Sequence, residues 1–197
     1  MGYANRHQVQ ARMAQMSQGP IVEIGGGRGH GVIAMRKVSG QLITVIDPYI
    51  LYKDLLGGEY GPDTKAEFLR NTERLDVDLV EQDATEVEWD EPIGLLWVDL
   101  TMSYERLSPI VERWPPHADL VGITGLEYGN LGTRRVMEDL ERQGFERILE
   151  DQRYVAALRR TGESRAVFWI CSGDDRGRYV REAVFSAESV KEHLGLP

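Results

Sequence analysis

Near its N-terminus the chain reads Glu23-Ile24-Gly25-Gly26-Gly27-Arg28-Gly29-His30-Gly31. This segment completes a short apolar run at 20–25, which is typical of a buried strand that ends in glycines. It leads into residues 30–38, which the pattern predicts as a short helix. Glycines at such a turn let a ligand approach the main chain, and the free N–H groups of a helix end attract negative charge. The segment therefore predicts a ligand-binding turn between a strand and a helix.

Outward from this turn, strand-like and helix-like segments alternate, which is the pattern of an α/β fold with a mainly parallel sheet. Helices are predicted at 5–16, 30–38, 64–75, 103–114 and 131–143, the last of them closed by Gly144. Strands are predicted at 20–25, 41–47, 78–82, 93–99 and 118–124, followed by a closing strand pair at 147–150 and 154–158. Residues 49–63, which contain several Gly and Pro breakers, are predicted to form a loop. The expected fold is a doubly wound sheet with helices on both faces.

The second predicted strand ends in an acid, Asp47. In doubly wound sheets that bind nucleotides, an acid at this place accepts hydrogen bonds from ribose hydroxyls. A dinucleotide fingerprint fits the glycine turn poorly, because the register that starts with Gly25 and Gly27 puts His30 where the third glycine belongs. A phosphate-binding P-loop is excluded by the lack of a Gly-Lys-Ser/Thr sequence. The remaining expectation is a nucleotide-like ligand of another kind.

The pattern that does fit is acid-x-Gly-x-Gly-x-Gly, formed by Glu23, Gly25, Gly27 and Gly29. It resembles motif I of the class I S-adenosylmethionine-dependent methyltransferases, which implies a Rossmann-like fold and S-adenosylmethionine as the cofactor. The resemblance implies that the loop main chain packs against the amino-acid end of the cofactor and that Glu23 helps to hold its amino group. It also implies that Asp47 holds the ribose. Gln82-Asp83-Ala84 matches the place where an acid meets the adenine amino group, so Asp83 and Ala84 join the expected cofactor site.

A second stretch, Val98-Asp99-Leu100-Thr101-Met102-Ser103-Tyr104-Glu105 with Trp114 further on, has a narrower likeness. It resembles small-molecule and sugar O-methyltransferases related to cephalosporin-hydroxylase-like and catechol-type enzymes. Metal-using members of that branch carry an Asp-His pair and a His-Asp pair, whose carboxylates bind a divalent cation. Thr101-Met102 and Thr124-Gly125 stand at those places here, and these side chains cannot replace hard anionic ligands. We therefore predict that the chain has no catalytic metal.

Methyl transfer without a metal needs alignment of the reacting groups and, for a weakly acidic hydroxyl, a general base. Asp99 is the expected catalytic residue, because it ends a strand at the edge where such sheets bind ligands. His30 and His117 are the alternative bases. Tyr49 and Tyr52 either flank the adenosine, roof the acceptor pocket or are half-buried loop residues.

The amino-acid composition limits the classes of substrate and the cellular environment that we expect for the chain. The chain has 197 residues, 42% of them hydrophobic and 28% charged, and a formal net charge of −9. This acidic balance disfavours a nucleic-acid substrate, which usually needs a basic surface, and favours a small or neutral substrate. The single cysteine, Cys171, excludes an internal disulfide. No apolar run approaches the ~20 residues of a membrane span, so we expect a cytoplasmic protein without membrane contact.

The expected domain organisation is a methyltransferase-like domain at 1–160 and a C-terminal extension at 161–197 with a strand at 165–172 and a helix at 179–194. The extension resembles the opening strand and helix of nucleotide-sugar glycosyltransferase domains, which implies the start of a truncated second domain. The alternative is a strand and helix that extend the sheet or make a homodimer contact.

The function expected from the sequence is S-adenosylmethionine-dependent methyl transfer to a small-molecule or sugar hydroxyl. One alternative is a catalytically inactive module that binds the cofactor and acts as a partner or regulator. The other is a nicotinamide-dependent oxidoreductase, against which the poor fit of the dinucleotide fingerprint argues, since His30 stands where the third glycine belongs.

Overall fold

The computed structural model describes residues 2–53, 59–100, 103–124, 131–150 and 154–159. The C-terminal extension predicted at 161–197, with its strand and helix, lies outside the described residues, and so does the boundary expected at residue 160.

The helices and strands follow the order that the sequence predicts. The helices are α1 (Gly2–Met16), α2 (His30–Arg36), α3 (Pro62–Thr72), α4 (Tyr104–Arg113) and α5 (Leu131–Arg142). The strands are β1 (Ile21–Ile24), β2 (Ile43–Ile46), β3 (Tyr52–Lys53), β4 (Glu59–Tyr60), β5 (Val77–Val80), β6 (Ile93–Val98), β7 (Ala118–Thr124), β8 (Phe145–Glu150) and β9 (Tyr154–Arg159). A short 3-10 turn, Pro115–His117, leads into β7. The predicted closure of α5 is confirmed, because Gly144 has the left-handed φ of 92° and its N–H donates to the carbonyl of Glu141.

The main sheet has the strand order β5-β2-β1-β6-β7-β9-β8. The strands from β5 to β7 are parallel, and β9 pairs antiparallel with both β7 and β8. The chain moves outward from β1 through β2 to β5 on one side, and through β6 to β7 on the other. The strand order therefore reverses at β1, which is where open α/β sheets bind their ligands. The predicted mainly parallel, doubly wound sheet is confirmed.

Two hydrophobic clusters lie on opposite faces of this sheet. On one face, Val22 and Leu96 pack against α4 and α5 through residues such as Ile110 and Leu140. On the other face, Ile21 and Leu95 pack against α1, α2 and α3, with Met13, Val32 and Phe68 among the contacts. Neighbouring strand residues thus serve different faces, as the alternation of side chains in a strand requires. Because both faces are covered, β1, β2 and β6 are buried along their whole length, which explains their continuous apolar runs.

The predicted loop at 49–63 is wrong in part. Strands β3 and β4 form a small antiparallel pair outside the main sheet, and α3 begins at Pro62. Proline is favourable at the first position of a helix, where its missing N–H costs nothing. The glycines and prolines that suggest a continuous loop therefore mark the boundaries of short elements.

Among the residues that the structure describes, none of the helices combines the length and apolar character that crossing a bilayer requires.

Candidate functional site

The glycine turn lies between the carboxyl end of β1 and the start of α2. Gly25, Gly27 and Gly29 have φ values of 93°, 49° and 80°, in the left-handed region that side chains other than glycine rarely adopt. These angles favour glycine at every second residue of the turn, which is the physical reason for the Gly-x-Gly-x-Gly pattern.

Gly25 also lies against the end of β6. A Cβ atom on Gly25 would be 2.6 Å from the main-chain oxygen of Asp99 and 2.8 Å from Cδ2 of Leu100. No side chain fits in that space. Because glycine has none, the glycine turn packs directly on the segment that follows β6. This contact brings Asp99, the expected catalytic residue, beside the predicted cofactor loop.

Helix α3 holds the tip of the turn from its outer side. Asn71 donates a hydrogen bond of 2.9 Å from Nδ2 to the carbonyl of Arg28, and the Arg28 side chain forms an ion pair with Glu67. Phe68 lies under Gly29, with Cδ2 at 3.1 Å from where a Cβ would stand. The turn is therefore fixed by packing and polar contacts, as well as by its own glycines.

Asp47 follows β2 and faces the glycine turn. Its Oδ2 accepts a hydrogen bond of 3.2 Å from the Gly27 N–H, and its Oδ1 accepts one of 2.9 Å from the Tyr49 N–H. Burial raises the pKa of the Asp47 carboxyl, although hydrogen bonds from Tyr49, Gly27 and Gly26 act in the opposite direction. A carboxylate has about four acceptor sites, so both oxygens keep capacity to accept further hydrogen bonds.

Tyr49 lies beneath the glycine turn. Its hydroxyl donates a hydrogen bond of 3.0 Å to the Gly27 carbonyl, and its ring packs against Phe68 at a centroid distance of 5.8 Å. The sequence allows Tyr49 to flank an adenosine, to roof an acceptor pocket or to be a half-buried loop residue. The structure instead buries the tyrosine as a support of the turn, with a side chain only 6% exposed.

The segment after β5 is a second loop held by hydrogen bonds. Asp83 Oδ1 accepts from the main-chain N–H and the hydroxyl of Thr85, at 2.9 and 2.7 Å. The Trp114 indole N–H donates to the Ala84 carbonyl at 2.9 Å, and Arg113 donates to the Thr85 carbonyl at 2.7 Å. The last turn of α4 thus anchors the main chain of this loop. Trp114, noted in the sequence only as part of a resemblance, supplies one of these anchors.

These loops surround a cavity of about 220 Å³ at the carboxyl edge of the sheet. Four of the predicted cofactor residues line the cavity: Gly25, Asp47, Asp83 and Ala84. Leu100, Arg106, Pro109 and Ile110 complete one wall, and Pro48 and Ile50 contribute to another. The cavity is mainly apolar with acids from two different strand ends, which suits a flat, partly polar ligand such as a nucleoside. Pro48, Ile50 and the α4 residues are missing from the sequence-based site, since only their position in the fold points to them.

Asp99 and Thr124 meet at the ends of β6 and β7. The Thr124 hydroxyl donates a hydrogen bond of 2.8 Å to Asp99 Oδ1, and Thr124 itself is buried. The adjacent pairing of Val98 with Ile123 places the two residues side by side. This hydrogen bond fixes the orientation of the Asp99 carboxylate.

Glu23 lies on the α1 face of β1 and is only 1% exposed. Its Oε1 accepts a hydrogen bond of 2.9 Å from Nε2 of Gln10 in α1, and a Cβ on Gly31 would be 2.6 Å from the same oxygen. Glu23 therefore links β1, α1 and α2. The expected contact between Glu23 and the amino group of the cofactor stays a prediction.

The two alternative bases occupy different places. His30 is the exposed first residue of α2, and its ring meets the His7 ring edge-on at 5.9 Å. His117 lies in the 3-10 turn before β7, at the amino edge of the sheet. Because the glycine turn and Asp99 are at the opposite edge, the position of His117 argues against a catalytic role.

Within the described ranges, no group of three His, Cys, Asp or Glu side chains is arranged to hold a metal ion. Thr101, Met102 and Gly125, at the places where the resembling branch has metal-binding residues, lie outside those ranges. Glu127, another carboxylate of this region, does so too. The absence of a catalytic metal stays a prediction.

No family model matches the sequence, and neither does any curated protein. Solved structures do match. The O-methyltransferase NovP is similar with a TM-score of 0.64 and 15% identity over 79% of each chain. The N-methyltransferase NodS from Bradyrhizobium japonicum WM9, in complex with S-adenosyl-L-homocysteine, has a TM-score of 0.59 and 13% identity, covering 78% of this chain and 84% of its own.

A third similar structure is the magnesium protoporphyrin IX methyltransferase ChlM from Synechocystis PCC 6803 with bound SAM. It has a TM-score of 0.57 and 12% identity, covering 80% of this chain and 81% of its own. These proteins differ in the atoms they methylate. At sequence identities this low, the similarity concerns the backbone arrangement alone. Together with the strand order and the glycine turn, they show that this chain has the Rossmann-like fold of the class I methyltransferases.

Proposed function

We propose that this chain binds S-adenosylmethionine and catalyses methyl transfer to a hydroxyl of a small molecule or sugar, without a metal. The observation that carries the proposal is the cavity at the carboxyl edge, where Gly25, Asp47, Asp83 and Ala84 converge from three separate strand ends. Such convergence at the point where the strand order reverses is typical of a nucleotide-like ligand.

The described residues fit the proposed cofactor in their chemistry. Asp47 offers carboxylate acceptors to ribose hydroxyls, and Asp83 offers one to the adenine amino group. The apolar wall formed by Leu100, Pro109 and Ile110 suits the faces of the base. The glycine turn exposes main-chain groups to the amino-acid end. When bound, S-adenosylmethionine supplies a methyl group already activated by the positive sulfur.

The protein's part in the reaction is then to align the acceptor and to receive a proton. Rigid elements fix the site, since the glycine turn packs on the end of β6 and on α3. We assign Asp99 as the general base, held by Thr124 through the hydrogen bond to Oδ1. The net charge of −9 supports a small-molecule or sugar acceptor over a nucleic acid.

A second candidate is a cofactor-binding module without catalysis. The observation that favours it is the place of Thr124, which engages Asp99 where the resembling branch has a metal-binding pair. A nicotinamide-dependent oxidoreductase is the third reading, and it predicts binding of NAD.

The first test is a calorimetric titration with S-adenosylmethionine, S-adenosylhomocysteine and NAD. We expect micromolar binding of the two sulfur ligands and no binding of NAD. Failure of both sulfur ligands to bind would overturn the proposal.

Turnover with a panel of hydroxyl acceptors separates the enzyme from the inactive module. In an active protein, Asp99→Asn should lower kcat by about 10²- to 10⁴-fold, since it removes the base. The Kd for S-adenosylhomocysteine should stay at the wild-type value, because the substitution is isosteric. Equal turnover by Asp99→Asn and wild type would show that Asp99 is not the base.

A further inference from the structure

The main-chain N–H and the main-chain carbonyl of Gly27 are both hydrogen-bonded to residues of the turn that follows β2. Asp47 accepts from the Gly27 N–H at 3.2 Å, and Tyr49 donates to the Gly27 carbonyl at 3.0 Å. The Tyr49 N–H in turn donates to Asp47 at 2.9 Å. These three bonds close a ring that joins the middle of the glycine turn to the residue expected to hold the ribose.

Tyr49 reaches this place at a conformational cost. Its φ of 46° is the only positive value among the described residues other than glycine. A bulky residue in this region is strained, and such strain persists where the surroundings determine it and often marks a functional position. Here the surroundings are the Phe68 ring, the Asp47 carboxylate and the Gly27 carbonyl.

The phenol is a permanent donor in this setting. Burial, with the nearby charge of Asp47, raises the pKa of the Tyr49 hydroxyl well above its ordinary value. The hydroxyl therefore keeps its proton at neutral pH and can act as the donor to the Gly27 carbonyl. A donor aimed at the Gly27 carbonyl adds a restraint on the peptide unit between Gly27 and Arg28, in a run of glycines whose main chain has wide conformational freedom.

We propose that Tyr49 is a positioning residue for the cofactor, whose hydroxyl holds the glycine turn in the shape that receives the amino-acid end of S-adenosylmethionine. The inference rests on the proposed function. A loop fixed before the ligand arrives loses less conformational freedom on binding, and the affinity rises accordingly. Tyr49 acts through Gly27 and is not assigned a contact with the reacting atoms.

The substitution that isolates this role is Tyr49→Phe. It removes the bond to the Gly27 carbonyl but keeps the ring on Phe68 and the main-chain bond to Asp47. The ribose side of the site should therefore stay intact while the glycine turn loosens. Two probes separate these parts: S-adenosylhomocysteine carries the amino-acid end, and 5′-methylthioadenosine lacks it.

Calorimetry should show that Tyr49→Phe weakens S-adenosylhomocysteine binding by about 2- to 12-fold, the effect of one neutral hydrogen bond. Methylthioadenosine binding should change by less than about twofold. The matched control is Tyr104→Phe, which removes a hydroxyl bonded to Asp139 at 2.7 Å between α4 and α5. This control should bind both probes as the wild type does.

The outcomes are distinct. Unchanged S-adenosylhomocysteine binding in Tyr49→Phe overturns the inference, and so does an equal loss for both probes, which would indicate general damage. A similar loss in Tyr104→Phe also overturns it. If the wild-type protein binds neither probe, the proposed function fails instead.

A measurement on the wild type alone tests the same idea without any variant. Hydrogen exchange at the N–H groups of Gly25, Gly27 and Gly29, which donate to Ile46, Asp47 and Gly26, should be slow in the ligand-free protein, because the turn is already fixed. Exchange at the rate of an unstructured peptide would contradict a preformed turn.

Discussion

At the scale of single residues, Asp47 connects the architecture of the site to its chemistry. Its two oxygens accept hydrogen bonds from Gly27 and Tyr49, so the carboxylate holds the glycine turn while it faces the cavity. A residue with both tasks is sensitive to changes in charge. Replacing it should disturb the shape of the turn and remove the acceptor that we propose for a ribose.

Asp47→Asn should weaken S-adenosylhomocysteine binding by about 1.5–3 kcal/mol, because hydrogen bonds to a charged group are lost or reversed. This corresponds to roughly 10- to 150-fold in Kd, measured by calorimetry. The matched control is Asp119→Asn, an exposed acid at the amino end of β7 and far from the cavity edge. An equal loss in both variants would show that net charge, not the place of Asp47, governs binding.

The raised pKa of Asp47 adds a pH dependence to the same prediction. The pH range concerned lies between the ordinary pKa of 3.8 and the raised pKa of the Asp47 carboxyl in the folded protein. In it the folded state holds more protons than the unfolded state, so the carboxyl's contribution to stability is lost as pH rises. Ligand binding should behave in the opposite way, since ribose hydroxyls need the ionised acceptor. The Kd should tighten with rising pH in the wild type and stay flat in Asp47→Asn.

At the scale of elements, a large side chain of β6 lies against a residue of β7 that has no side chain. Trp97 of β6 pairs with Gly122 of β7, and a Cβ on Gly122 would lie 2.2 Å from Cε3 of the indole. Trp97 is fully buried, so the ring has nowhere to move. The missing side chain of Gly122 therefore leaves the space that the Trp97 indole occupies on this face of the sheet.

Gly122→Ala should lower the free energy of unfolding by about 1–3 kcal/mol, because it overpacks a closed interior. The control is Gly40→Ala, where a Cβ would meet no atom within 4 Å. Chemical denaturation should place the control within about 1 kcal/mol of wild type. A Gly122→Ala protein as stable as this control would mean that the sheet adjusts to the added methyl.

At the scale of the whole molecule, the proposed ligand site joins parts that are distant in the chain. The cavity takes residues from the ends of β1, β2, β5 and β6 and from α4. Ile24, Ile46 and Ile110 belong both to the cavity lining and to the hydrophobic cluster on the α4 face of the sheet. A ligand there should stabilise the fold as one unit.

Denaturation in the presence of S-adenosylhomocysteine at 100 times its Kd should show a gain of about 2.7 kcal/mol, the value for a ligand that binds only the folded state. NAD at the same concentration should give no gain. A gain with NAD but not with S-adenosylhomocysteine would favour the oxidoreductase reading.

Most of the sheet follows from the sequence, because fully buried parallel strands leave apolar runs and their ends leave glycines or acids. The spacing of Gly25, Gly27 and Gly29 indicates a turn with unusual main-chain angles, and all three glycines have a positive φ in the structure. The support from Tyr49 could not be predicted, because it depends on one left-handed residue and on the distance between two loops. Arg106 and Pro109 join the cavity only through the packing of α4, which no local pattern records.

The sheet order also governs how the polypeptide acquires its shape during synthesis. β1 pairs with β2 on one side and with β6 on the other. Ile21 therefore lacks its second strand neighbour until Leu95 has been synthesised. A ribosome adds about 5–20 residues per second, so this apolar strand stays half-covered for several seconds. The packing of Gly25 against the main chain of Asp99 cannot form any earlier. Nascent chains are thus exposed to wrong partners until β6 emerges, and pairings between remote positions of this kind slow folding in general.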